Sequence, residues 1–249
     1  EQATMLDSEE QFRVASEIQQ HLFPRKAPEL DGFDIAGASK PAAATGGDYF
    51  DYLTTSDNQL ALAIGDVSGH GIGPAMLMAE TRAYLRLLAR NRNDLSLILT
   101  RANTMMGEDV GKERFVTMLL AKLDPEKRTL VHASAGHSPA FILGPDGEVK
   151  SELKRTGMPL GVMPDAEYNV SRHMHLAKGD VLVLLTDGLE EATNPEGELF
   201  GTGRILEAVH KSRQLKAAKI VKSVFEALEN FSGNAEQLDD LTMIVAKVE

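Results

Sequence analysis

The sequence predicts an α+β domain in which two antiparallel β-sheets pack face to face, with helices on the outside. Three observations carry that expectation. β-Prone runs come in blocks instead of alternating singly with helices, which argues against a parallel βαβ sheet. Helical segments come in pairs between those blocks. About ten strands can be read off the chain, enough for two stacked sheets.

The elements follow in order. "LDSEEQFRVASEIQQHLFPRKAP" opens with a helix: Ser8 and Gln11 fit a capping box, Phe12, Ala15, Ile18 and Leu22 recur at helical spacing, and Pro24 and Pro28 end it. "FDIAGAS" (33–39) is a strand, and two hairpin arms follow near 48–54 and 60–66. The next stretch is helical, with Pro74 in a first turn and Ile72, Met76, Ala79, Ala83 and Leu87 as its apolar stripe. "AMLMAE" within it reads as core packing. "NDLSLILTRANTMMGED" gives a second helix capped by Asn93 or Asp94. From 114 to 185 strands return as "RFVTMLLAKLD", "TLVHASAG", "PAFILG", "AEYNVSRHMHL" and "DVLVLLTD", separated by turns such as "DPEKR" and "GPDGE". Helices near 202–213 and 215–231 precede a last strand, "LTMIVAKV". This divides the chain into a helical linker, 1–26, and one domain, 27–249.

Composition narrows the function. A formal net charge of −11 argues against nucleic acid or an anionic membrane as the main partner, because both need a basic face. With no cysteine, metal binding and catalysis must use oxygen or imidazole, and the expected location is the cytoplasm. No apolar run approaches a membrane span. The first residue is Glu1 and not Met, which fits a piece of a longer protein.

The acids at strand ends carry the chemistry. If the first hairpin turns about Asp57, facing residues have numbers that sum to 114, and Asp48 faces Asp66. "LALAIGDVSG" and "VLVLLTDGLE" both end an apolar run in Asp, so Asp187 stands at its strand end as Asp66 does. Asp239 and Asp240 stand just before the last strand, and in an antiparallel sheet one strand's end lies beside its neighbour's start. Asp48, Asp66, Asp187 and Asp239 therefore converge at one edge. Any one aspartate at a turn is commonplace. Four in one cleft repel unless protonated or neutralised, and Mg²⁺ or Mn²⁺ neutralises them with octahedral oxygen coordination. Two such ions a few ångströms apart suit attack of water on phosphorus.

"GGDYFD", "GDVSGHG", "MPLGV", "TDGLEEA" and "DDLT", in this order and spacing, resemble the bacterial SpoIIE/RsbU branch of the PPM family of metal-dependent protein serine/threonine phosphatases. The resemblance runs from about residue 30 to the C-terminus. It implies an α-β-β-α sandwich and two Mn²⁺ or Mg²⁺ ions. Asp66 would bridge the ions, the Val67 carbonyl would join one, Asp187 and Asp239 would bind the other, and Asp48 would hold metal-bound waters. It also implies direct attack by a water between the ions on phosphoserine or phosphothreonine. The implied substrate is a STAS-type anti-anti-sigma factor in a partner-switching pathway. "SEIQQHLFP" resembles the element that joins a sensor to such a phosphatase, which implies signal transmission and a homodimer through the N-terminal helix.

The departures and rivals are specific. The eukaryotic branch has a histidine two residues after the bridging acid; here Ser68 holds that place and His70 comes later, so His70 is either a general acid or a histidine fixing a glycine-rich turn. No arginine upstream of Asp48 matches that branch's phosphate ligand, and Lys40 is a weak substitute. "GHGIGPA" lacks the lysine of a phosphate-cradling loop. His173 and His175 share a strand face but have no obvious metal partners. A catalytically silent module that binds a STAS or kinase partner is the rival reading, and a nucleotide-directed two-metal enzyme is a third.

Overall fold

In the computed structural model, which describes residues 13–69, 71–109 and 114–249, two five-stranded sheets lie between layers of helix. The first sheet runs β1 (Phe33–Lys40), β10 (Leu241–Val248), β9 (Val181–Leu185), β6 (Ala140–Leu143) and β7 (Val149–Leu153). The second runs β2 (Tyr49–Thr54), β3 (Leu60–Val67), β4 (Val116–Asp124), β5 (Thr129–Ala135) and β8 (Met174–His175). Every neighbouring pair is antiparallel. Helix α1 is described over 13–20; α2 (Ile72–Asn91) and α3 (Leu95–Asp109) cover the second sheet, and α5 (Gly201–Ser212) and α6 (Ala217–Ser232) cover the first. A short α4 (Asp187–Glu191) follows β9.

Three cores result from this layering. Phe50, Leu62, Ile64, Leu119, Leu184 and Ile244 fill the space between the sheets. The outer faces carry their own apolar residues toward the helices. Strands covered on both faces need apolar residues at every position, so β3, β9 and β10 read as continuous runs without alternation.

The first hairpin keeps the expected register, with Tyr49 opposite Gly65 and Thr54 opposite Leu60. Its turn closes through the Thr55 and Asn58 amides, and Asn58 takes the left-handed conformation (φ 59°) that asparagine tolerates. Asp94, of the two expected residues, caps α3 by accepting from the Ser96 amide (2.9 Å).

Two helix faces differ from expectation. On α2 the buried residues are Pro74, Leu77, Met78, Thr81, Leu85 and Ala89, whereas Ile72, Met76 and Leu87 are exposed. Both faces carry apolar residues at helical spacing, so periodicity alone does not choose between them. Thr81 hides the true face: its hydroxyl bonds back to the Leu77 carbonyl (2.7 Å), which lets a polar residue sit in the core. On α1, Ile18 is 60% exposed and Gln19 is buried instead. Ser8, Gln11 and Phe12 lie outside the described residues. Strand β7 and helix α4 were not anticipated, and of "AEYNVSRHMHL" only Met174–His175 is strand, at a sheet edge. Among the described residues no helix is long and apolar enough to cross a membrane.

Candidate metal centre

The four predicted acids meet where the two sheets end together. Asp66 is in β3, and Asp48 directly precedes β2, across the hairpin. Asp187 opens α4 one residue beyond Thr186, and Asp239 stands just ahead of β10. Pairing of β9 with β10 continues through Thr186, whose amide donates to the Thr242 carbonyl (3.0 Å). The Thr242 amide donates in return to the Thr186 hydroxyl (3.1 Å). That hydroxyl then donates across to the carboxylate of Asp48 (2.8 Å), tying one sheet to the other.

Asp240 fixes the loop that carries Asp48. Its buried carboxylate accepts from the Ala42 amide (2.8 Å) and the Asp48 amide (3.2 Å). Glycine permits the close approach that follows. A Cβ on Gly47 would stand 2.6 Å from the Val67 carbonyl oxygen and 3.2 Å from an Asp66 carboxylate oxygen, so both oxygens face the same narrow gap. A Cβ on Gly188 would overlap the Asp240 carbonyl and crowd Asp239, so a side chain there would push Asp187 and Asp239 apart.

The electrostatics record the crowding. Burial raises the Asp66 carboxyl to about 7, and the charges of Asp187, Asp239 and Asp240 add to the rise. Asp48 is pushed well above the usual carboxylate range, first by burial and then by Asp66, while hydrogen bonds from Thr242 and Thr186 oppose the shift. Glu191, on the rim, is raised by burial and by Asp187, Asp239 and Glu190. Few groups besides cations can lower this repulsion at neutral pH.

The donor set is oxygen throughout, which suits a hard divalent ion. Among the described residues no group of three or more acids or histidines is already arranged to hold a metal ion; Mg²⁺ commonly keeps several waters beside one or two carboxylates.

Three contributors were not singled out from the sequence: Thr186, Asp240 as the loop anchor, and His137. Buried His137 donates from Nε2 to the Leu185 carbonyl (3.1 Å), and its Nδ1 accepts from the Thr117 hydroxyl (2.9 Å). Burial lowers its pKa to about 4, so it is a neutral brace between β4 and β9. A threonine or histidine in an apolar strand gives no periodic signal. His70 lies outside the described residues. Lys40 is exposed and ion-paired with Glu229 (3.0 Å), and His173 and His175 are exposed.

Replacing Thr186 by Val keeps the shape but strands the buried Asp48 carboxylate and the Thr242 amide. We expect a stability loss of about 1–3 kcal/mol by urea unfolding and weaker Mn²⁺ binding.

The family model for stage II sporulation protein E (SpoIIE) matches residues 56–249. Phosphoserine phosphatase RsbU of Bacillus subtilis is 28% identical over 237 residues, covering 95% of this chain and 70% of RsbU. Protein IcfG of Synechocystis sp. is 28% identical over 255 residues, covering 92% of this chain but only 40% of IcfG. The SiaA-PP2C domain of Pseudomonas aeruginosa superposes with a TM-score of 0.85 at 24% identity, with all of both chains covered, and so shares the fold.

Proposed function

The chain belongs to the SpoIIE family, and on that premise we propose that it is a metal-dependent protein phosphatase acting on phosphoserine or phosphothreonine of a partner protein. One observation supports this most: four carboxylates from four separate segments meet at one edge, with Asp66 raised to about 7. The similarity to a phosphoserine phosphatase, RsbU, supports the same reading.

Asp66, Asp187 and Asp239 would hold two Mn²⁺ or Mg²⁺ ions, with Asp66 shared and the Val67 carbonyl on one of them. Asp48, steered by Thr186, would hold water beside them. When bound, the ions supply an activated water and neutralise the charge of the phosphoryl oxygens. The chain itself gathers the acids in one place, orients Asp48 through Thr186, and keeps Asp48 buried from bulk water; burial and mutual repulsion favour their protonated forms until cations offset the charge. Hydrolysis transfers the phosphoryl group to water and returns the serine or threonine hydroxyl. The motif resemblance to the SpoIIE/RsbU branch extends the proposal to a substrate class, a STAS-type anti-anti-sigma factor.

Release of phosphate from a phosphoserine protein, with Mn²⁺ and then with excess chelator, tests the proposal. Turnover that needs the metal supports it. Absence of turnover with tight binding of the phosphoprotein would favour the silent binding module.

We also propose that α1 carries a signal to this site in a dimer. The side-chain amide of Gln19 donates to the Gly46 carbonyl (2.6 Å) and accepts from the Gly46 amide (3.0 Å), two residues from Asp48. Val14 and Ile18 on the same helix are exposed apolar residues suited to a second copy. Gln19→Ala leaves both backbone groups without their partner. A fall of roughly tenfold in activity at subsaturating Mn²⁺, recovered in part at high Mn²⁺, is the expected result, corresponding to about 1–2 kcal/mol of lost loop anchoring. Unchanged activity and mass after removal of residues 1–26 would remove the signalling role.

A further inference from the structure

A cleft of about 370 Å³ opens beside the acid cluster, between the end of α4, the C-terminal half of α6 and the 233–239 loop. Its volume is within the range that receives a small ligand or one or two side chains. The floor is apolar: Leu228 and Leu241 line it and are buried. Leu238 adds an apolar lip that is 71% exposed. The rim is acidic, with Glu191, Glu229 and Glu236 around the opening. Lys40, a lining cation, is already paired with Glu229. Asp239 lines the same cleft, so it is continuous with the candidate metal centre.

We propose that this cleft takes the stretch of the phosphoprotein next to its phosphorylated residue, selecting an apolar side chain accompanied by lysine or arginine. The inference rests on the phosphatase reading and adds the substrate chemistry. A phosphoryl group at the acids places the neighbouring main chain over Asp239. Asp239 is common to the acid cluster and the cleft, so residues close to the phosphoserine along an extended chain reach the cleft. The apolar floor receives an aliphatic side chain, and the carboxylates receive the cation. Acidic flanks are rejected by the same charges, which gives selection by repulsion as well as attraction.

The test compares two phosphoserine peptides, one with leucine and lysine beside the phosphoserine and one with glutamates there, and uses p-nitrophenyl phosphate as a substrate too small to reach the cleft. The variants are the double change Glu229→Gln with Glu236→Gln, and Ala235→Phe, which fills the cleft. In the unaltered protein, kcat/KM for the leucine-lysine peptide is expected to exceed that for the acidic peptide at least tenfold. Both variants should reduce the ratio below threefold and leave p-nitrophenyl phosphate turnover within twofold. Equal turnover of the two peptides, or a preference that survives both variants, overturns the proposal. If no substrate is hydrolysed, the phosphatase reading fails on its own account. Binding then decides the cleft separately: a labelled, unphosphorylated leucine-lysine peptide should bind at least fivefold more tightly to the unaltered protein than to either variant. Equal binding overturns it.

Discussion

Asp66→Asn is expected to lower Mn²⁺-dependent phosphate release by a factor on the order of 10³ or more, while making the metal-free protein more stable. The two effects have one cause. Asp66 is the acid that feels the others most broadly: its carboxyl is raised to about 7 by burial and then by Asp187, Asp239 and Asp240. A neutral amide of the same shape removes that repulsion and also removes the charge that would be shared between the cations. The pH dependence fixes the sign. The unfolded carboxyl titrates near ~4, so the folded, metal-free protein binds the proton more tightly than the unfolded chain does. Stability from this group is fully present below about pH 4 and is lost as the pH rises through about 7. Thermal unfolding in chelator should therefore show a lower Tm at pH 8 than at pH 5, and the Asn variant should show a shallower slope. Saturating Mn²⁺ should raise the Tm of the unaltered protein at pH 8, since a ligand that binds only the folded state stabilises it. A variant that is inactive and also less stable at pH 8 would point to a fold defect, not to a lost metal ligand.

Gly188→Ala, a single methyl group next to Asp187, is the second large expected effect. The new Cβ would overlap the Asp240 carbonyl oxygen and press on the Asp239 side chain. Backbone cannot swing aside as a flexible side chain can, and overpacking of this kind costs about 1–3 kcal/mol or more. Relief requires either α4 or the start of β10 to move, and each carries one of the acids. Loss of Mn²⁺ affinity by at least tenfold is expected, with the far-ultraviolet circular dichroism spectrum retained. Retained affinity would mean that Asp187 and Asp239 do not need their present spacing.

Much of this arrangement was legible in the sequence because it depends on strand ends and registers. The turn about Asp57 fixed the hairpin pairing, and the pairing observed, Tyr49 opposite Gly65, extends directly to Asp48 and Asp66. Apolar runs ending in Asp located Asp66 and Asp187, although Asp187 proves to open a short helix instead of ending a strand. What was not legible depends on tertiary partners. The buried face of α2 includes Thr81, made tolerable by its own backbone, and the exposed face carries Met76 and Leu87, so its apolar stripe pointed the wrong way. Gln19 displaces Ile18 from the buried side of α1 because Gly46, 27 residues away, offers its amide and carbonyl. Thr186, His137 and Asp240 act through hydrogen bonds between segments distant in sequence, which no periodicity records.

On the proposed function, the repulsion among these acids is what divalent cations would relieve, and their binding follows from it. Calorimetric titration of Mn²⁺ into the metal-free protein at pH 7.5, beside Asp66→Asn, tests it most directly. The predicted result is uptake of two ions per chain by the unaltered protein and loss of that binding in the variant. No uptake by the unaltered protein at millimolar Mn²⁺, or equal uptake by the folded variant, would contradict it.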